Sequence, residues 1–108
     1  MTPSPPRRHQ PENRRETEIV WSPLALKRLR EIRAYVALDK PEAAERLATR
    51  IVAVVEALKS HPRLGRPGAS PGVRELVIGG TPYIVLYRFQ RTRVVITTVW
   101  HGAQRRKT

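Results

Sequence analysis

The sequence predicts an α+β domain in the order β-α-α-β-β-β, a helical hairpin packed on an antiparallel sheet. Two amphipathic segments, each opened by a proline, stand only about three residues apart, which is the pattern of two antiparallel helices. Three runs of β-forming residues then follow with three residues between neighbours, the spacing of hairpins. At 108 residues the chain holds one core, and its 40% hydrophobic content is enough to fold it.

Residues 1–17 carry Pro3, Pro5, Pro6, Pro11 and four arginines, with no large apolar residue after Met1. Such a segment cannot bury enough surface to order itself, so it reads as a flexible arm before a single domain over residues 18–108. Glu18-Ile-Val-Trp21 is a short strand candidate. Ser22 can cap a helix that Pro23 opens, and Ala25, Leu29, Ile32 and Val36 form its apolar face. This helix is expected to end near Asp39-Lys40.

Pro41 opens a second helix with a wider stripe: Ala44, Leu47, Ala48, Ile51, Val54, Val55 and Leu58. Glu42 and Arg46, one turn apart, are expected to pair. Residues 60–72 hold three prolines and three glycines and read as a loop. His61 lies at the helix C-terminus, where an imidazole suits the dipole. Strands over Val73–Ile78, Pro82–Phe89 and Arg93–Trp100 complete the domain as an antiparallel meander. One sheet face takes the helices, and the other is expected to be open to a partner.

Charge narrows the function. The chain has 21 basic and 9 acidic residues, and beyond residue 60 its single acid is Glu75. A cationic face of this kind suits nucleic acid, an acidic protein or an anionic membrane. No cysteine is present, and His9, His61 and His101 stand far apart, so neither a metal nor a cofactor is expected. No apolar run reaches the ~20 residues of a membrane helix. A signal-peptide core is also missing from the N-terminus, and a cytoplasmic location is expected.

The end of the chain concentrates the chemistry. The last strand delivers Trp100 and His101, followed by Arg105, Arg106 and Lys107. A titratable imidazole beside a cationic cluster is suited to phosphate or to an acidic protein surface. The plainer reading is a solvated basic tail after the last strand.

With these signposts in this order, residues 18–106 resemble the RelE/ParE superfamily of type II toxin–antitoxin toxins. The matching pieces are Ser22-Pro23, Pro41-Glu-Ala-Ala-Glu-Arg-Leu47, His61-Pro62, Gly65-Arg-Pro-Gly68, Gly72-Val-Arg-Glu-Leu76, Tyr83-Ile-Val-Leu-Tyr-Arg88 and His101-Gly-Ala-Gln104. The resemblance implies a small basic toxin held silent by a cognate antitoxin in a hetero-oligomer. From its own charge, that antitoxin is expected to be acidic and amphipathic where it docks.

Two targets are compatible with the resemblance. RelE-like members resemble ribosome-dependent mRNA endonucleases, in which His101 would be the proton donor, Arg74 and Arg88 the phosphate clamp, and Tyr87, Tyr83 or Glu75 accessories. Such nucleases usually carry arginine directly after the first tyrosine of the Tyr-x-x-x-Tyr strand, where this chain has Ile84. ParE-like members resemble DNA gyrase inhibitors and typically show an apolar residue there, which favours that branch. Trp100, Arg105, Arg106 and Lys107 would then meet the target. A plain non-catalytic nucleic-acid-binding module is a weaker reading, because no basic platform interleaved with aromatics is visible. Structural readings stand beside each candidate: Arg88 as a cross-strand brace, Tyr83 and Tyr87 as packing on one strand face. Arg74 and Glu75 are adjacent in a strand and point to opposite faces.

Overall fold

The computed structural model describes residues 17–103. Its elements run β1 (Glu18–Trp21), α1 (Pro23–Ala37), α2 (Pro41–Glu56), a 3-10 turn (Ala57–Lys59), β2 (Arg66–Pro67), β3 (Val73–Val77), β4 (Tyr83–Gln90) and β5 (Arg93–His101). The strands form one sheet in the order β1-β5-β4-β3-β2. β3, β4 and β5 are the expected meander, each antiparallel to the next. β1 lies parallel to β5, with Glu18 opposite Arg93 and Trp21 opposite Ile96.

Both helices start as their sequences dictate. The Ser22 hydroxyl accepts the Ala25 amide at 3.0 Å and donates to the Thr97 carbonyl at 2.9 Å. One side chain therefore caps α1 and ties it to the last strand. Ser22→Ala removes both bonds, and a cap alone is worth about 1 kcal/mol. We expect the melting temperature to fall by on the order of 5–10 °C, read by circular dichroism.

The helices bury one stripe against the sheet. Ala25, Ile51, Val55 and Leu58 meet Leu76, Ile78, Val85, Val94, Ile96 and Val99 in a single core, with Leu29, Ile32, Leu47 and Val54 packed at its margin. Arg33 forks onto Glu45 between the two helices. Glu42 and Arg46 do not form the expected pair; among the described residues, Glu45 takes its ion pair from α1 instead.

Three further features depart from the expectations. The 60–72 loop contains the two-residue strand β2, antiparallel to β3. Thr17, assigned to the arm, belongs to the body: it is 5% exposed and its amide donates to the Lys59 carbonyl. The remainder of the arm, residues 1–16, lies outside the described residues. The sheet face away from the helices is also less open than expected, since Glu75, Ile84 and Thr98 on it are each under a tenth exposed.

A bulge sets the site. Leu86 pairs with Thr98 but Tyr87 pairs with Ile96, leaving Thr97 as an extra residue in β5. An extra residue reverses the alternation beyond it. Val94 and Ile96 face the helices before the bulge, and Val99 and His101 face them after it. Among the described residues, no helix is long and apolar enough to cross a membrane.

Candidate functional site

His101 ends β5 on the helix side of the sheet, opposite Tyr83. The two rings meet edge to face at 88°, with centroids 5.4 Å apart. The Ala103 amide donates to His101 Nδ1 at 3.1 Å, so Nδ1 is the acceptor nitrogen when the ring is neutral. Together with Val99 the pair lines a cleft of about 370 Å³, closed on the helix side by Arg28, Glu31, Ile32 and Tyr35 of α1. Arg28 and Glu31 form an ion pair of 3.0 Å at its rim. Burial raises the Tyr83 hydroxyl above its ordinary value, and the nearby Tyr35 adds to the effect. The cleft thus holds a half-exposed imidazole, a protonated phenol and a guanidinium, a set able to donate protons and to bind an anion.

The other nominated residues are not brought to this cleft. Tyr87 is fully buried. Its hydroxyl donates to the Pro62 carbonyl at 2.7 Å and accepts the Gly65 amide at 2.9 Å. Burial raises this hydroxyl too, while the Gly65 hydrogen bond and the Arg74 charge pull the other way. Tyr87 therefore pins the 60–72 loop to the sheet and has no surface to offer a substrate. Arg74 sits opposite Tyr87 and donates to the Gly65 carbonyl at 2.6 Å, bracing the same loop. Arg88 lies on the opposite face of β4 and donates to the Pro71 carbonyl at 3.3 Å. Glu75 diverges from Arg74 as strand alternation requires; it is 4% exposed and lies 3.6 Å from Arg66.

Trp100 is opposite Ile84 on the face away from the helices, and half-buried. It does not share a face with His101. Arg105, Arg106 and Lys107 lie outside the described residues.

Two features escaped the reading of the sequence. Along the outer side of α2 runs a groove of about 740 Å³, floored by Ala53, Val54, Ala57 and the exposed Leu64, with Arg46 and Arg50 on its wall. The second is a smaller cleft at the 60–72 loop, where the Arg63 guanidinium lies over the Phe89 ring at 5.4 Å. Helical spacing places Arg28 and Tyr35 on one side of α1, seven residues apart, and was the available clue to the His101 cleft. No local pattern announces an arginine from a loop stacking on a strand residue.

Residues 19–106 match the family described as ParE toxin of type II toxin-antitoxin system, parDE. The chain is 48% identical over 86 residues to Y4kP of Sinorhizobium fredii, covering 80% of this chain and 88% of that protein. It is 34% identical over 87 residues to toxin RelE2 of Caulobacter vibrioides, covering 81% and 97%. Among solved structures it is similar to the chromosomal ParDE toxin–antitoxin system of P. aeruginosa, with a TM-score of 0.74, 24% identity, and 81% and 97% of the two chains covered. It is also similar to the RelBE2 toxin–antitoxin complex of Mycobacterium tuberculosis, with a TM-score of 0.60, 23% identity, and 80% and 91% covered. At these identities the two structures speak to the fold.

Proposed function

The chain belongs to the ParE toxin family of type II toxin–antitoxin systems, within the RelE/ParE superfamily, and on that premise we propose that it arrests growth by binding DNA gyrase, without catalytic chemistry of its own. The observation that supports this reading most is the dispersal of the nominated catalytic set. A metal-free nuclease needs its proton donor, phosphate clamp and accessory groups around one reacting phosphate. Here Tyr87, four residues along β4 from the partner of His101, is roughly 13 Å away by strand rise, and its hydroxyl is occupied. Arg88 points to the other face. Ile84, where the nucleases carry arginine, is buried and apolar.

Neutralisation falls to a cognate antitoxin. An acidic, amphipathic segment suits the α2 groove, whose apolar floor takes the non-polar side chains while Arg46 and Arg50 meet carboxylates. Fields of opposite sign also speed the encounter.

A second reading, an mRNA endonuclease of the RelE type, draws on one observation: His101 opens onto a cleft beside Arg28 and Tyr83. A pulse of expression separates the two. We expect purified toxin to inhibit gyrase supercoiling, and primer extension on cellular mRNA to show no new 5′ ends. New ends in mRNA, with supercoiling untouched, would overturn the gyrase reading.

A further inference from the structure

The first helix carries a second stripe that the sheet does not cover. Ala25, Leu29 and Ile32 turn α1 toward the core. Beside them Leu24, Arg28, Glu31, Tyr35 and the C-cap Leu38 follow one another at alternating steps of four and three residues. That alternation keeps side chains on one line of a helix and is the spacing of a coiled-coil seam. Leu24, Tyr35 and Leu38 are 44%, 73% and 85% exposed. A single exposed leucine is ordinary, but three large apolar side chains aligned with one base and one acid form a contact surface.

The stripe is complementary to itself. Turned end over end about a two-fold axis between Arg28 and Glu31, it sets Arg28 against Glu31 of a second copy, and Glu31 against Arg28 of that copy. The same register brings Leu24 onto Tyr35 of the second copy, and the reverse, while Leu38 covers the start of the opposite helix. A two-fold contact uses one patch on both subunits and requires such an internal match. Within one chain Arg28 and Glu31 pair at 3.0 Å, with side chains 43% and 51% exposed. Pairs this exposed contribute little, and a base preceding its acid is the weaker order on a helix. Exchanging that partner for one across an interface therefore costs little.

We infer that the chain without its antitoxin pairs with a second copy along this stripe, the two α1 helices antiparallel. The contact reaches the His101 site. Arg28, Glu31 and Tyr35 wall its cleft, so the second copy stands across the mouth and each protomer closes the cleft of the other. One helix stripe buries less than the roughly 1,200 Å² of a stable complex, and a dissociation constant on the order of 10–100 μM is expected. The net charge of +12 opposes self-association. At physiological salt the Debye length is about 8 Å, which screens the two bodies more than ions in contact. A wholly acidic peptide is the lesser fit, because the stripe offers one base and one acid. This inference goes beyond the gyrase reading and stands without it.

Sedimentation velocity of the full chain over a concentration series, at physiological salt and without antitoxin, tests it. A monomer–dimer equilibrium is expected. Arg28→Glu alone, or Glu31→Arg alone, sets like charges opposite one another and is expected to weaken the dimer about tenfold or more. The two substitutions together put opposite charges back across the axis and should restore it. Tyr35→Ala with Leu38→Ala should weaken the dimer by a similar factor, while Val77→Ala, at a 49% exposed position of β3, should not. Diethylpyrocarbonate should modify His101 more slowly as concentration rises, and the exposed His61 at a constant rate. Thermal melts show that each variant is folded. A chain that stays monomeric would overturn the assignment. So would a dimer that tolerates the single reversals, one that the double exchange fails to restore, or a His101 whose reactivity ignores concentration.

Discussion

Tyr87→Phe is expected to destabilise the protein by about 2–4 kcal/mol, because the Pro62 carbonyl and the Gly65 amide each lose a partner where water is scarce. For a domain of this size that is a fall in melting temperature of on the order of 10–20 °C. The surrounding geometry leaves little room for repair. A Cβ on Gly65 would lie 2.8 Å from the Tyr87 ring and 2.9 Å from the Glu75 carbonyl, so the loop and the ring already touch. The tyrosine also imposes a pH dependence. Burial raises its folded-state pKa, so its neutral form is favoured in the fold. No stability is lost through it below about pH 10, where the unfolded phenol is still neutral. Above that the unfolded chain ionises first and stability falls until the folded-state pKa is passed. The phenylalanine variant should lack that contribution to the alkaline slope. Urea unfolding across pH reads both effects. A catalytic Tyr87 would instead give lost toxicity at unchanged stability, and that outcome would refute the pin.

The second large effect separates the two targets. Replacing Arg105, Arg106 and Lys107 together by glutamate is expected to abolish toxicity, because reversing three charges turns an electrostatic attraction for the target into repulsion. His101→Ala should be mild in the same growth assay. Were the toxin a nuclease, loss of the proton donor would cost roughly 10²–10⁴ in rate, with stability hardly altered. Antitoxin binding, measured in parallel, shows that each variant is folded. A harmless His101→Ala protein that still binds its antitoxin would refute the gyrase reading.

Much of this was legible in the residues themselves. Ser22-Pro23 and Pro41 open helices by local rules, and the structure starts both helices there. The three later strands announce themselves by alternation and short turns, and the ends shift by one residue or so. Features set by distant partners were not legible. β1 pairs with β5 because the end of the chain supplies a free edge beside it, which no window around Glu18 can reveal. The bulge at Thr97 is equally silent, although it decides that His101 faces the helices. Read by strict alternation from Val94 and Ile96, His101 would lie on the opposite face. Tyr87 looked like a surface candidate because a tyrosine on a strand has the same appearance whether its hydroxyl meets substrate or a loop carbonyl 25 residues back.

The parallel pairing of β1 with β5 also governs when the fold can close. The Ser22 hydroxyl must wait for Thr97, 75 residues downstream. At about 5–20 residues per second of synthesis that delay is roughly 4–15 s. Until then the first strand has no neighbour, the helix cap has one of its two bonds, and His101 has no cleft to close. Closure of so long a loop is itself slow. The emerging chain therefore completes its sheet only in one late step, after β5 has been made.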